Sequence, residues 1–124
     1  MLLVRSAVAG LFMIAACQRA PVGAADLAMA RAAAVELFEA LDASDCSRLG
    51  RVLLEPLPAH RCAEAMREHR QHQTRMGDIS SAVVDGRNES LILVRVRGVS
   101  KGRDREWLVR AVRDGPTWRV GLPR

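Results

Sequence analysis

Tyrosine is absent from this 124-residue chain, which holds only two phenylalanines and two tryptophans. A protein that grips single-stranded nucleic acid needs aromatic faces for bases to stack on, set among basic side chains. That combination is missing, so no nucleic-acid partner is expected. Lysine is nearly absent too: of 19 basic residues only Lys101 is a lysine, and 14 acidic residues leave a formal charge of +5. Acidic and basic residues alternate, as in Arg103-Asp104-Arg105-Glu106, so the excess forms no basic stripe. Long apolar runs are lacking as well. A helix that crosses a bilayer needs about twenty apolar residues, and Ala7 to Cys17, closed by Gln18-Arg19, falls well short.

What is present at the start of the chain has the pattern of an export signal. A single basic residue, Arg5, precedes the apolar segment Ala7–Ala16, which ends in small residues before a break. The residues at the break, Ile14-Ala15-Ala16-Cys17, resemble the bacterial lipobox. The resemblance implies a signal peptide over residues 1–16, cleavage before Cys17, and lipidation of its thiol. Gln18 follows, and an Asp at that place is what retains such lipoproteins in the inner membrane. The implied location is therefore the periplasmic face of the outer membrane, with the membrane as partner through the acyl anchor. Residues 17–24, with Pro21 and Gly23, read as a tether, and one domain is expected over 25–124. A signal cut at another position is the alternative.

With Cys17 given to lipid, Cys46 and Cys62 remain as an even pair. In an oxidising compartment such a pair reads as a disulfide; two buried free thiols are the other reading. Around it the periodicity is helical. Leu27, Ala30, Ala34, Leu37 and Leu41, widened by Phe38, line one face of a helix from Ala25 to about Ala43. Ser44 or Asp45 caps a second helix, about Cys46 to Leu54, which Pro56 and Pro58 end. A third runs from Pro58 or Ala59 to about Arg75, with Cys62, Met66, His69 and Gln73 along one side.

After Met76-Gly77 the period becomes two. Turn signals at Asp85-Gly86-Arg87-Asn88, Ser100-Lys101-Gly102-Arg103 and Asp114-Gly115-Pro116-Thr117 divide the remainder into four strands. Even-numbered loops would set Val96 opposite Trp107, Val94 opposite Val109 and Ile92 opposite Ala111. Trp118, Val120 and Leu122 join that apolar face from the last strand, and Ile79, Ser81 and Val83 from the first. The other face would carry Arg95, Arg97, Glu106, Arg110 and Arg119, with Arg97 paired across strands to Glu106. The expected fold class is α+β: N-terminal helices on a curved four-stranded antiparallel meander.

Over about Ala25 to Leu122 this order resembles the nuclear-transport-factor-2-like (cystatin-like) superfamily. The resemblance rests on the element order, on Arg105-Glu106-Trp107-Leu108-Val109-Arg110 running through Asp114-Gly115-Pro116-Thr117-Trp118, and on the closing Trp118-Arg119-Val120. It implies a cone whose interior binds an apolar ligand, hosts catalysis or supports dimerisation. The residues expected to line its pocket are Met66, His69, Gln73, Val94, Trp107, Val109 and Trp118. Enzymes of this fold place Asp, His or Tyr inside the cone, and Tyr is missing here. Besides Ser81 on the sheet, only His69 and Gln73 of the third helix could reach inward as polar groups, and a base without an oxyanion donor makes a weak isomerase. His69 and His72, three apart on a helix, could share a metal, but a site needs more ligands. No metal, cofactor or catalytic constellation is expected. The reading is a non-catalytic envelope lipoprotein that binds a small apolar ligand or a protein partner, with a homodimer through the sheet as a further option. The alternative is a small isomerase- or hydrolase-like enzyme with its site around His69.

Overall fold

A computed structural model describes residues 21–124. The expectations for the signal segment, the lipobox and Cys17 lie outside the described residues. Three helices, α1 (Ala24–Asp42), α2 (Cys46–Val52) and α3 (Ala59–Gln71), precede four strands: β1 (Arg75–Asp85), β2 (Asn88–Ser100), β3 (Arg103–Asp114) and β4 (Thr117–Val120). The strands form one open antiparallel sheet in sequence order, and the helices pack on one of its faces. No helix among the described residues is long and apolar enough to cross a membrane.

The helices end where local chemistry says they should. Asp26 sits three residues past the N-cap Gly23 and accepts that residue's N–H at 3.0 Å, placing negative charge in the first turn. Of the two candidate caps for α2 it is Asp45 that serves, accepting the Arg48 N–H at 3.0 Å. Arg48 in turn reaches back to α1, donating to Glu36 at 2.9 Å and Glu39 at 2.8 Å. α2 stops at Val52 because Leu53 turns extended and bridges Val120 beside β4. α3 stops at Gln71, earlier than its periodicity suggests. Gln73 takes a left-handed conformation (φ 48°) and the chain is already in β1 by Arg75.

Cys46 and Cys62 lie at disulfide distance, with Cα atoms 6.0 Å apart, and tie the start of α2 to the first turn of α3. A loop of this length stabilises by about 3 kcal/mol in the chain-entropy picture.

The sheet register agrees with expectation across three strands. Val96 opposes Trp107, Val94 opposes Val109, Ile92 opposes Ala111, and Ala111 opposes Val120. These residues meet Ala30, Ala34, Leu37, Phe38 and Leu41 of α1 in one core. β1 departs from the expected alternation. A bulge between Ile79 and Ser81 adds a residue, so that Ile79, Ala82 and Val84 face inward while Ser81 pairs with Arg95 and Val83 with Leu93. Val83 is 58 % exposed, not core. An extra residue reverses every side chain beyond it. Leu122 lies past the end of β4 and is 41 % exposed, because no helix covers it there.

Two further irregularities flank the bulge of β1: one beside the β1–β2 turn, where Asp85 pairs with Asn88 but Val84 already with Ile92, and one between Met76 and Asp78, where β1 crosses close over Gly98 of β2. At the opposite end of the sheet, Asp26 accepts the Trp118 indole N–H at 3.0 Å and stands 3.3 Å from Arg113, whose guanidinium lies 5.2 Å over the Trp118 ring. The Gly23 amide and then the Trp118 N–H hold the Asp26 carboxyl below its ordinary value of 3.8. A folded-state value below the unfolded one contributes stability in full above the ordinary value, lost as pH falls through the depressed one. Asp26→Asn should therefore lower stability at neutral pH and flatten the acid limb of the stability curve. Urea unfolding over a pH series reads this; a constant gap between the two curves into acid would refute it.

Candidate functional site

The inward row of β3 does not stop at Trp107. Arg105 is two residues earlier, opposite Gly98, and points to the same side beyond the end of the core. There the sheet and the C-terminal ends of α1 and α3 leave a mouth of about 180 Å³. Phe38 and Trp107 form its floor, ring centroids 5.4 Å apart and planes at 60°. α3 supplies Ala65, Glu68 and His69, and His72 and Thr74 follow from the turn after it. The far wall is the chain's end: Arg124 and Leu108 exchange backbone hydrogen bonds at 2.9 and 3.1 Å, which brings Leu122 and Pro123 to the opening. The rim is tied too, since Lys101 N–H donates to the His72 carbonyl at 2.6 Å.

Of the residues expected to line a pocket, His69 and Trp107 do line this mouth. Met66, Val94, Val109 and Trp118 are packed into the core cluster, where Val94 and Val109 are fully buried. Gln73 is exposed on the left-handed turn after α3. The space between helices and sheet is thus filled by side chains, and what remains open is its end. Arg105, Leu122 and Phe38 are among the lining residues that the sequence reading missed. The step of two from Trp107 carried the signal for Arg105.

His69 has a partner that the sequence did not reveal. Its Nε2 lies 2.6 Å from Asp42 Oδ1, joining the last turn of α3 to the last residue of α1. The imidazole is nearly buried, while Asp42 is more than half exposed. In a Ser-His-Asp relay the carboxylate holds Nδ1 and leaves Nε2 to move a proton. Here Nε2 itself is held, so the pair joins two helix ends and leaves Nδ1 as the nitrogen without a carboxylate. Among the described residues no group of three or more His, Cys, Asp or Glu side chains is placed to share a metal ion.

Larger depressions are open: one of about 440 Å³ runs past the Asp42–His69 pair and another of that size past Lys101, and two, of about 490 and 480 Å³, are grooves on the outside. The 490 Å³ groove runs past Arg97 and Asp78, the 480 Å³ groove past Arg48 and Glu36, and both pairs are already joined as ions. Neither reaches the aromatic floor. The outer sheet face carries the expected arginines, but their pairing differs. Arg97 binds Asp78 at 2.8 Å, not Glu106, because the bend of β1 brings Asp78 beside it; Glu106 takes Arg95 at 2.9 Å. Arg119 stands 2.7 Å from Asp114 and donates to the Arg51 carbonyl at 3.1 Å. With three of the four outward arginines (95, 97 and 119) already facing a carboxylate, little free positive charge is left there for an anionic surface. Leu93, Leu108 and Val112, half-buried, share that face with Val83, so it is mixed rather than polar. Comparison of the chain with protein-family models, with curated proteins and with solved structures finds no match.

Proposed function

We propose that this chain is a lipid-anchored, non-catalytic binding domain of the bacterial cell envelope, a nuclear-transport-factor-2-like cone that holds a small apolar ligand at its mouth. The observation that carries the reading is the floor of the mouth, where Phe38 and Trp107 present aromatic surface at an opening rimmed by Leu122 and Pro123. A concave apolar surface with a few polar groups around it is the usual form of a small-molecule site. The helix-helix-helix-meander order and the disulfide pair support the envelope domain, and the Ile14-Ala15-Ala16-Cys17 pattern supports the anchor. An enzyme centred on His69 is the lesser reading, since the imidazole is nearly buried and already engaged by Asp42. The mixed outer face, with Val83 exposed beside Leu93, suits a second copy or another envelope protein as partner.

The test is the native intact mass of the protein extracted gently from its own membranes. The expected result is a chain starting at Cys17 with acyl groups, two hydrogens missing and a small-molecule adduct. That adduct should be lost from Leu122→Asp, a change at an exposed position that leaves the fold intact. An unacylated or uncleaved mass overturns the anchor. An adduct that survives Leu122→Asp overturns the mouth as its site.

A further inference from the structure

We infer that the mouth takes its ligand by a carboxylate, held between Arg105 and the indole N–H of Trp107, with a short apolar tail lying on Phe38. The inference rests on the mouth being a binding site, as proposed above, and adds the charge of what it binds. Its basis is a comparison within the molecule. At one end of the sheet Arg113 lies over Trp118, and a single carboxylate, Asp26, meets both the indole N–H at 3.0 Å and the guanidinium at 3.3 Å. At the mouth Arg105 lies over Trp107 at a similar distance, 5.4 Å from the ring centroid. No carboxylate among the described residues plays the part of Asp26 there.

Both donors are available. Arg105 makes no ion pair or hydrogen bond among the described residues, unlike Arg48, Arg95, Arg97 and Arg119. A guanidinium stacked on an aromatic face keeps its N–H groups around the rim, where a planar carboxylate can meet them. Trp107 is buried, and a buried indole N–H usually has an acceptor. This one has none among the described residues, yet it is not sealed away from solvent. An acid at the opening would satisfy both groups at once.

The remaining walls set limits on the acid. Glu68 lines the mouth on the α3 side without pairing to Arg105, so a second negative charge on the ligand would be repelled. His69, held by Asp42, and His72 are the other titratable groups there. The mouth, of about 180 Å³, leaves room for a tail of a few carbons. The class is a small monocarboxylate with an apolar end.

The experiment uses the mature full-length protein with butyrate and its neutral isostere butyramide, followed by the NMR signals of the two indole N–H groups. Butyrate should move the Trp107 signal, with a Kd roughly tenfold below that of butyramide, the low end for a charged hydrogen bond in a part-exposed site. Arg105→Gln should abolish that preference while butyramide still binds, and Glu68→Gln should tighten butyrate. Equal affinities for the two probes would overturn the carboxylate and leave the apolar mouth standing. If neither moves Trp107, or only Trp118 responds, the mouth is not the site and both readings fall.

Discussion

Gly98→Ala is expected to leave most of the protein unfolded in dilute urea where the wild type is intact. A Cβ at this position would lie 2.1 Å from the Arg75 carbonyl oxygen and 2.9 Å from the Trp107 ring. The first contact is with backbone, which cannot rotate aside, so β1 must move off β2 or the bend must open. Inserting one methylene into a filled core costs about 1–3 kcal/mol, and lost strand pairing adds to that. Gly77→Ala is a graded control: its Cβ would stand 3.1 Å from the Arg97 oxygen, a contact that a small shift relieves. Gly50→Ala, in α2 with open space around it, should instead stabilise by about 0.5–1 kcal/mol. Urea midpoints in the order Gly50→Ala, wild type, Gly77→Ala, Gly98→Ala are the expected outcome. A Gly98→Ala midpoint near wild type would mean that β1 does not cross β2 as described.

Trp107→Ala should remove about 3–5 kcal/mol, a large share of the 5–15 kcal/mol typical of a small domain. Its ring meets Phe38 edge-on at 5.4 Å, leans on Gly98 and is only 5 % exposed, so truncation leaves a hole bordered by a helix and two strands. Arg110→Ala, three residues along the same strand and on the outer face, should change stability by less than about 0.5 kcal/mol. Chemical denaturation of the two variants is sufficient. If Arg110→Ala proves the costlier, the inner and outer faces of β3 are exchanged.

Why β2, β3 and β4 could be read ahead of β1 has a physical explanation. The β2–β3 and β3–β4 turns each hold two residues, Lys101-Gly102 and Gly115-Pro116, so parity carries across them. The β1–β2 turn also holds two residues, Gly86-Arg87, but the register shifts between Val84 and Asp85 and again between Ile79 and Ser81, and the segment Ile79-Ser80-Ser81-Ala82-Val83-Val84, apolar on both parities, shows neither shift locally. The helical stripe of α1 was legible because the period of 3.6 repeats over 19 residues. The C-terminal end of α3 was not, because Gln73 ends the helix by a left-handed turn without a glycine to announce it. For the mouth, the row through Arg105 and Trp107 was readable, whereas Asp42 meeting His69 joins residues 27 apart and Asp26 meeting Trp118 joins residues 92 apart. Such contacts exist only once the layers have packed.

The length of α1 sets a direction for the whole molecule. Its N-terminal end lies beside Trp118, and its C-terminal end, through Phe38 and Leu41, borders the mouth. Nineteen residues at 1.5 Å each separate the two by about 28 Å. A change at the N-terminal end of this helix is therefore made far from the opening, whereas one at Phe38 or Leu41 is made beside it.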